Sequence, residues 1–194
     1  VRTDSHQTLY LVSRNGLAAA IAVQSVPDIE EVGNGVSFEK VSPLREAGFP
    51  VAMFSLPLGK KLKDLCLVSI TRQGLIKKSL VTELKGPSSD TFVMVKVNDD
   101  DELVEVGLYN DQSQYLVVTR MGMIIRFDGS EVRVMGLVAA GVNAIKLATT
   151  DEVVGMTELS GKGEVVLISS SGTSWRIEMD NIPVQGRYGQ GVIG

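Results

Sequence analysis

Four glycines set the frame of this chain. Gly16 follows LYLVSRN, Gly74 follows LCLVSITRQ, Gly122 follows YLVVTRM and Gly172 follows VVLISSS, at separations of 58, 48 and 50 residues. Ten positions beyond each glycine stands an apolar residue: Val26, Leu84, Val132 and Ile182. Nineteen positions beyond, three copies carry another glycine (Gly35, Gly141, Gly191), whereas the second copy is two residues shorter and has Thr91. Five residues later comes a lysine followed by an aliphatic: Lys40-Val41, Lys96-Val97 and Lys146-Leu147. Copies two and three then share Asp-Glu-aliphatic-Val, from Asp101 to Val104 and from Asp151 to Val154. So many fixed offsets define an internal repeat. A period near 50 residues with several short β runs per copy points to blades or a solenoid rather than one sandwich.

The runs are dominated by Val, Ile, Thr and Leu, and no 3.6-residue periodicity is sustained anywhere. The most helix-like stretch, LAAAIAV (Leu17 to Val23), sits where the other copies have their second strand, so a strand is expected there despite its alanines. The expected class is therefore all-β, with about four repeats of four strands in one domain spanning 1–194. The repeats run at about 8–57, 65–111, 112–159 and 164–194, the last incomplete. The chain begins with Val1 rather than Met, the mark expected of a piece excised from something longer.

A chain of 194 residues buries a core without covalent staples. The single cysteine, Cys66, excludes an internal disulfide framework and fits a reducing compartment. No apolar run nears the ~20 residues that cross a bilayer as a helix, so a cytoplasmic location without membrane contact is expected. Abundant glycine and scarce aromatics suit tight turns between short strands. The net charge is −4, so the chain as a whole is not a basic nucleic-acid binder, and only the placement of its cations can make it one.

That placement is regular. Four residues after the turn glycines stand Ala20, Lys78, Arg126 and Arg176. Copies of one strand position in a radial or stacked array fall on one track, so Lys78, Arg126 and Arg176 are expected to form an exposed row of cations. Arg72, Lys77, Lys85, Arg120, Arg133 and Arg187 would widen it. Such a row neutralises the phosphates of a bent polyanion without reading bases. The bland reading is that basic residues on exposed strands blunt edges and keep the protein soluble. The lysines of LGKKLKD (Lys60, Lys61, Lys63) read as a solvated linker, and NDDDE (Asn98 to Glu102) reads as a polar turn, lacking the spacing of a calcium loop.

IRFDGSEVRVMGLVAAGVNAIKL (Ile125 to Leu147) with DEVVG (Asp151 to Gly155) resembles a blade of the C-terminal domain of the DNA gyrase A subunit, to which a domain of topoisomerase IV is related. RQGLIKKSLVTEL (Arg72 to Leu84) and VQGRYGQGVI (Val184 to Ile193) are similar to the same family, and the first copy is the weakest match. The resemblance implies a β-pinwheel, a propeller-like disc whose neighbouring blades exchange a strand. It implies that the rim binds and bends double-stranded DNA and presents a segment for ATP-dependent strand passage, beside the B subunit and the rest of the A subunit. It implies no catalytic residue, metal or cofactor here, because the family's cleaving tyrosine, and its use of ATP and Mg, belong to other domains. Expected phosphate contacts are Lys77, Lys78, Arg120, Arg126, Arg133, Arg176 and Arg187. The family's glycine-rich box, Gln-x-Arg-Gly-Gly-x-Gly, is met in degenerate form by Gln185, Arg187, Gly189 and Gly191, with Tyr188 where a glycine is expected. Alternatives are a topoisomerase IV domain that steers substrate choice, or a propeller-like protein-interaction module.

Overall fold

The computed structural model describes residues 1–30, 33–44, 48–56, 62, 65–110 and 112–194. The linker lysines Lys60, Lys61 and Lys63 lie outside these. The first repeat holds β1 (Thr8–Ser13), β2 (Leu17–Ala22), a short helix α1 (Phe38–Val41) and β3 (Pro50–Ser55). The second holds β4 (Leu65–Thr71), β5 (Leu75–Leu80), β6 (Phe92–Val93) and β7 (Leu103–Asn110). The third repeats that order as β8 (Gln114–Thr119), β9 (Met123–Asp128), β10 (Val142–Asn143) and β11 (Val153–Leu159). The fourth has β12 (Glu164–Ile168), β13 (Ser174–Glu178) and β14 (Val192–Ile193). LAAAIAV is mostly strand, as its place in the repeat requires: tertiary pairing of β2 with β1 overrides the helical preference of its alanines.

Sheet composition does not follow repeat boundaries. The strand orders are β3-β1-β2-β6, β7-β4-β5-β10 and β11-β8-β9-β14, with β12-β13 a pair. Each four-stranded blade thus takes its last strand from the next repeat, and all pairings are antiparallel. The glycine at each hairpin makes the exchange possible. Gly16, Gly74, Gly122 and Gly172 all have φ between 79° and 83°, a left-handed conformation that residues with a Cβ resist. Their carbonyls then face the incoming strand: Gly16 O accepts from Met94 N, Gly74 O from Ala144 N and Gly122 O from Gly194 N, at 2.8–3.0 Å.

The central strands are mostly apolar on both faces because both faces are covered. Val68, Ile70 and Ile76 of the second blade pack with Tyr115, Val117, Ile125 and Phe127 of the third. Tyr10, Val12 and Ala20 of the first blade pack with Leu67 and Val106 of the second. Leu116 and Ile124 meet Met179 and Ile182 of the fourth repeat. In the two-stranded fourth sheet, Val166 and Ile168 are 59% and 72% exposed. In the first repeat α1 replaces the loop seen elsewhere, and Phe38, Val41 and Leu44 cover Leu11, Ala19 and Ile21. Lys40 therefore sits on a helix, in a different setting from Lys96 and Lys146.

In the third and fourth repeats the second recurring glycine marks the point where an exchanged strand enters its host blade. A Cβ on Gly141 would stand 2.6 Å from Ile76 O, and one on Gly191 2.5 Å from Ile124 O, both at positive φ. Gly141→Ala is expected to cost about 2 kcal/mol in urea unfolding. Gly86→Ala, with open space around it, should stay within ~0.5 kcal/mol of the parent.

Candidate nucleic-acid interface

Strand alternation aims Lys78 and Arg126 at the next blade, not at solvent. Lys78 is 2% exposed; its Nζ donates to Gly129 O at 2.7 Å and lies 5.9 Å from the centre of the Tyr115 ring. Arg126 is half-buried: Nε donates to Gln114 Oε1 at 2.7 Å, and Nη1 donates to Met179 O and, at 3.2 Å, to Ile182 O. Gly129 and Met179 open equivalent 3₁₀ turns in successive repeats. Each cation is thus a strut that satisfies carbonyls of the following blade. The backbone reinforces both struts, since Lys78 O accepts from Met135 N and Arg126 O from Gln185 N, each at 2.8 Å.

The expected cationic row is corrected accordingly. Central strands in a stack of sheets have no free face, so a fixed strand position leads into an interface. Lys77 is also buried: its Nζ donates to Met94 O at 2.6 Å and to Leu137 O, joining loops of two repeats. Desolvation pulls its ammonium down to about 8, partly opposed by Glu83. Arg176 alone of the three is exposed, and it pairs with Glu164 at 2.9 Å. Glu164 stands where Gln114 stands one repeat earlier, so the Arg–acceptor pairing is the same in both.

Arg120 belongs to a second system. Arg14, Arg72 and Arg120 each lie two residues before a turn glycine, and Glu102 and Glu152 bridge them. Glu102 Oε2 is 3.6 Å from Arg14 and 3.7 Å from Arg72, while Glu152 reaches Arg72 at 3.9 Å and Arg120 at 3.1 Å. The preceding aspartates fix the turns: Asp101 Oδ1 accepts from Gln73 N at 2.9 Å and Asp151 Oδ1 from Met121 N at 3.0 Å. This explains the repeated Asp-Glu pair. The ladder was visible in the sequence as Arg at one offset and Glu at another, but nothing in either offset says that they meet. Exposed pairs of this kind contribute at most ~1 kcal/mol each.

Other cations lie along one edge of the blades. β7 lies against both β3 and β11, so the blades converge on that side, and β6, β10 and β14 occupy the diverging edge. Lys85 and Arg133, both eleven residues past a turn glycine, are exposed there, as are Lys96 and Lys146. Lys85 Nζ sits 5.6 Å from the ring centre of Phe92 on β6. Lys96 N donates to Ala139 O and Lys146 N to Gly189 O, which ties each lysine to the loop of the following repeat. Arg187 is held by the same junction: its N–H donates to Glu131 Oε2 at 2.7 Å and Nη1 to Asn143 O, while Nε is buried without a partner.

The degenerate box is therefore the junction loop of the exchange. Gln185 Oε1 accepts from Gly191 N at 3.3 Å, and a Cβ on Gly189 would stand 2.7 Å from that Oε1. Tyr188, at the position where a glycine is expected, has φ 70° and is the one non-glycine residue at positive φ among the described residues. That conformation costs about 1–2 kcal/mol. Among the described residues no group of three or more His, Cys, Asp or Glu is placed to hold a metal, and no helix is long and apolar enough to cross a membrane.

The family model described as DNA gyrase C-terminal domain, beta-propeller, matches residues 67–110, 114–159 and 163–194. The chain is 30% identical over 190 residues to the A subunit of DNA gyrase from Salmonella typhimurium, covering 98% of this chain and 21% of that protein. It is 35% identical over 196 residues to the corresponding protein of Deinococcus deserti, covering 98% and 24%. The chain thus spans less than a quarter of the length of these curated relatives. Among solved structures it is similar to the C-terminal domain of DNA topoisomerase IV, at TM-score 0.89 and 23% identity over 98% of this chain and 59% of that one. It is similar to the DNA gyrase A C-terminal domain at TM-score 0.73 and 19% identity, over 98% and 60%.

Lys78→Met and Arg126→Met should each destabilise the fold by about 1–3 kcal/mol, because buried carbonyls lose their donors; urea unfolding measures this. Lys77 gives a pH signature. Its folded pKa is depressed, so the burden of keeping it charged is fully present below about 8 and lifts as pH rises towards the unfolded lysine value. Stability relative to Lys77→Met should therefore rise by on the order of 1–2 kcal/mol between about pH 8 and 9.5, below the range where unfolded tyrosines ionise.

Proposed function

The chain belongs to the DNA gyrase C-terminal domain, beta-propeller family, a family of non-catalytic domains, and from that membership we propose that it binds and bends duplex DNA along the edge carrying β6, β10 and β14. One observation carries the reading. Once struts and ladder are set aside, Lys85, Lys96, Arg133, Lys146 and Arg187 remain on loops of that edge, and the first four are exposed. Regularly spaced cations on a divergent edge neutralise phosphates and release counterions without reading sequence. Of the contacts expected from sequence, Arg133 and Arg187 keep this role as leading candidates. Arg120 and Arg176 contribute only by exchanging their carboxylate partners, and Lys77, Lys78 and Arg126 act in holding blades together. In this reading the domain presents a DNA segment for ATP-dependent strand passage in the bacterial cytoplasm, as part of an A subunit working with a B subunit.

The second reading, a topoisomerase IV-type domain that steers substrate choice without strong wrapping, is favoured by the incomplete box at Tyr188. Ligation of nicked circles separates the two, since wrapping leaves supercoils of one hand in the closed product and steering does not.

The binding itself is tested by titrating a duplex of about 40 bp across salt concentrations. Affinity should fall steeply with salt. Arg187→Ala and Lys146→Ala should each flatten the log–log slope by about 0.9, while Arg126→Met leaves the slope unchanged. Absence of binding at low salt would leave the protein-interaction reading in its place.

A further inference from the structure

Resting on the DNA-binding reading above, we propose that Tyr188 is a wedge that enters the minor groove of the bound duplex and unstacks a base step, so that the bend is imposed at this junction. Tyr188 is held in a left-handed conformation at φ 70°, and strain of this kind persists only where the surroundings over-determine it. They do so here: Tyr188 N donates to Ala144 O at 2.9 Å, Gly189 N to Gly186 O at 3.1 Å and Arg187 N to Glu131 Oε2 at 2.7 Å. The backbone is pinned on both sides, yet the residue is 51% exposed, and among the described residues its ring stacks on no other aromatic ring. The fold carries the strain and leaves the residue exposed.

One repeat earlier the same position, sixteen residues past the turn glycine, holds Val138, which is 68% exposed. An outward apolar tip therefore recurs on the junction loops, and each tip has a cation of its own loop nearby in sequence, Arg133 for Val138 and Arg187 for Tyr188. Phosphate contacts seat a duplex against such a loop. An apolar side chain projecting between them gains by leaving water for the space between base pairs, which kinks the helix. A rigid base is what a wedge needs, because a loop that yields would fold the ring back instead of parting the bases. Tyrosine supplies a flat ring suited to a base face, and a glycine at this site would supply no wedge.

The test uses a duplex of about 40 bp with dyes at its ends to read bending, and 2-aminopurine placed in turn at successive steps to read unstacking. Wild-type protein should shorten the end-to-end distance and raise fluorescence at one or two steps. Tyr188→Gly should lose the fluorescence rise and much of the bend while affinity changes by less than about threefold, since phosphate contacts remain. Its melting temperature should equal or exceed that of the wild type, because the strain is gone. Tyr188→Phe should retain both signals. Wild-type bending and unstacking in Tyr188→Gly would overturn the wedge while leaving DNA binding standing, and so would a marked fall in its melting temperature, which would make the ring part of the fold. Failure of the wild type to bind the duplex would sink the DNA reading and the wedge with it.

Discussion

The architecture depends on a strand of two residues crossing from one repeat into the sheet of its neighbour. So short a strand supplies few hydrogen bonds, each worth about 1 kcal/mol net, and pairing alone does not hold it. For β10 and β14 three further contacts secure it: the carbonyl of the hairpin glycine, the close approach permitted by a second glycine, and a buried cation that closes the carbonyls of the neighbouring 3₁₀ turn. Lys78 and Arg126 do the same work with different head groups. The ammonium of Lys78 serves Gly129, while the fork of Arg126 serves two carbonyls and a glutamine, as suits a planar, multidentate donor.

The cations of this acidic chain consequently divide by place. Some are struts inside the blade stack, some alternate with glutamates across the hairpins, and others line the divergent edge. Net charge is blind to that division, which is why an anionic total is compatible with a surface that attracts phosphates. The glutamates also divide. Glu102 and Glu152 bridge arginines, whereas Glu131 takes a backbone N–H of the junction loop, so part of the negative charge is consumed in assembling the edge that carries the positive.

Much of the fold was legible in the sequence. Fixed offsets from Gly16, Gly74, Gly122 and Gly172 located the repeat and its hairpins, and they outweighed the alanines of β2. The family resemblance implied the strand exchange. Placement of side chains was less legible. A basic residue recurring on a strand looks like a surface track when strands are pictured with one wet face, but β5 is covered on both, so Lys77 and Lys78 point into protein. The Arg–Glu ladder was hidden for a related reason: within a repeat its partners are about thirty residues apart and meet because the strands they flank pair in one sheet, while its rungs between repeats form only because consecutive blades stack. The box around Tyr188 was legible as a motif, whereas its pinned, left-handed backbone was not.

Because each sheet is completed by the segment that follows it, no copy owns its own walls. Removing or duplicating one full period, wherever the cut falls, rejoins a host edge to a visiting strand of the same kind and restores the seam. A lineage built this way can change its number of blades without inventing a new contact, and the arc along which its outer loops are displayed lengthens or shortens in whole steps.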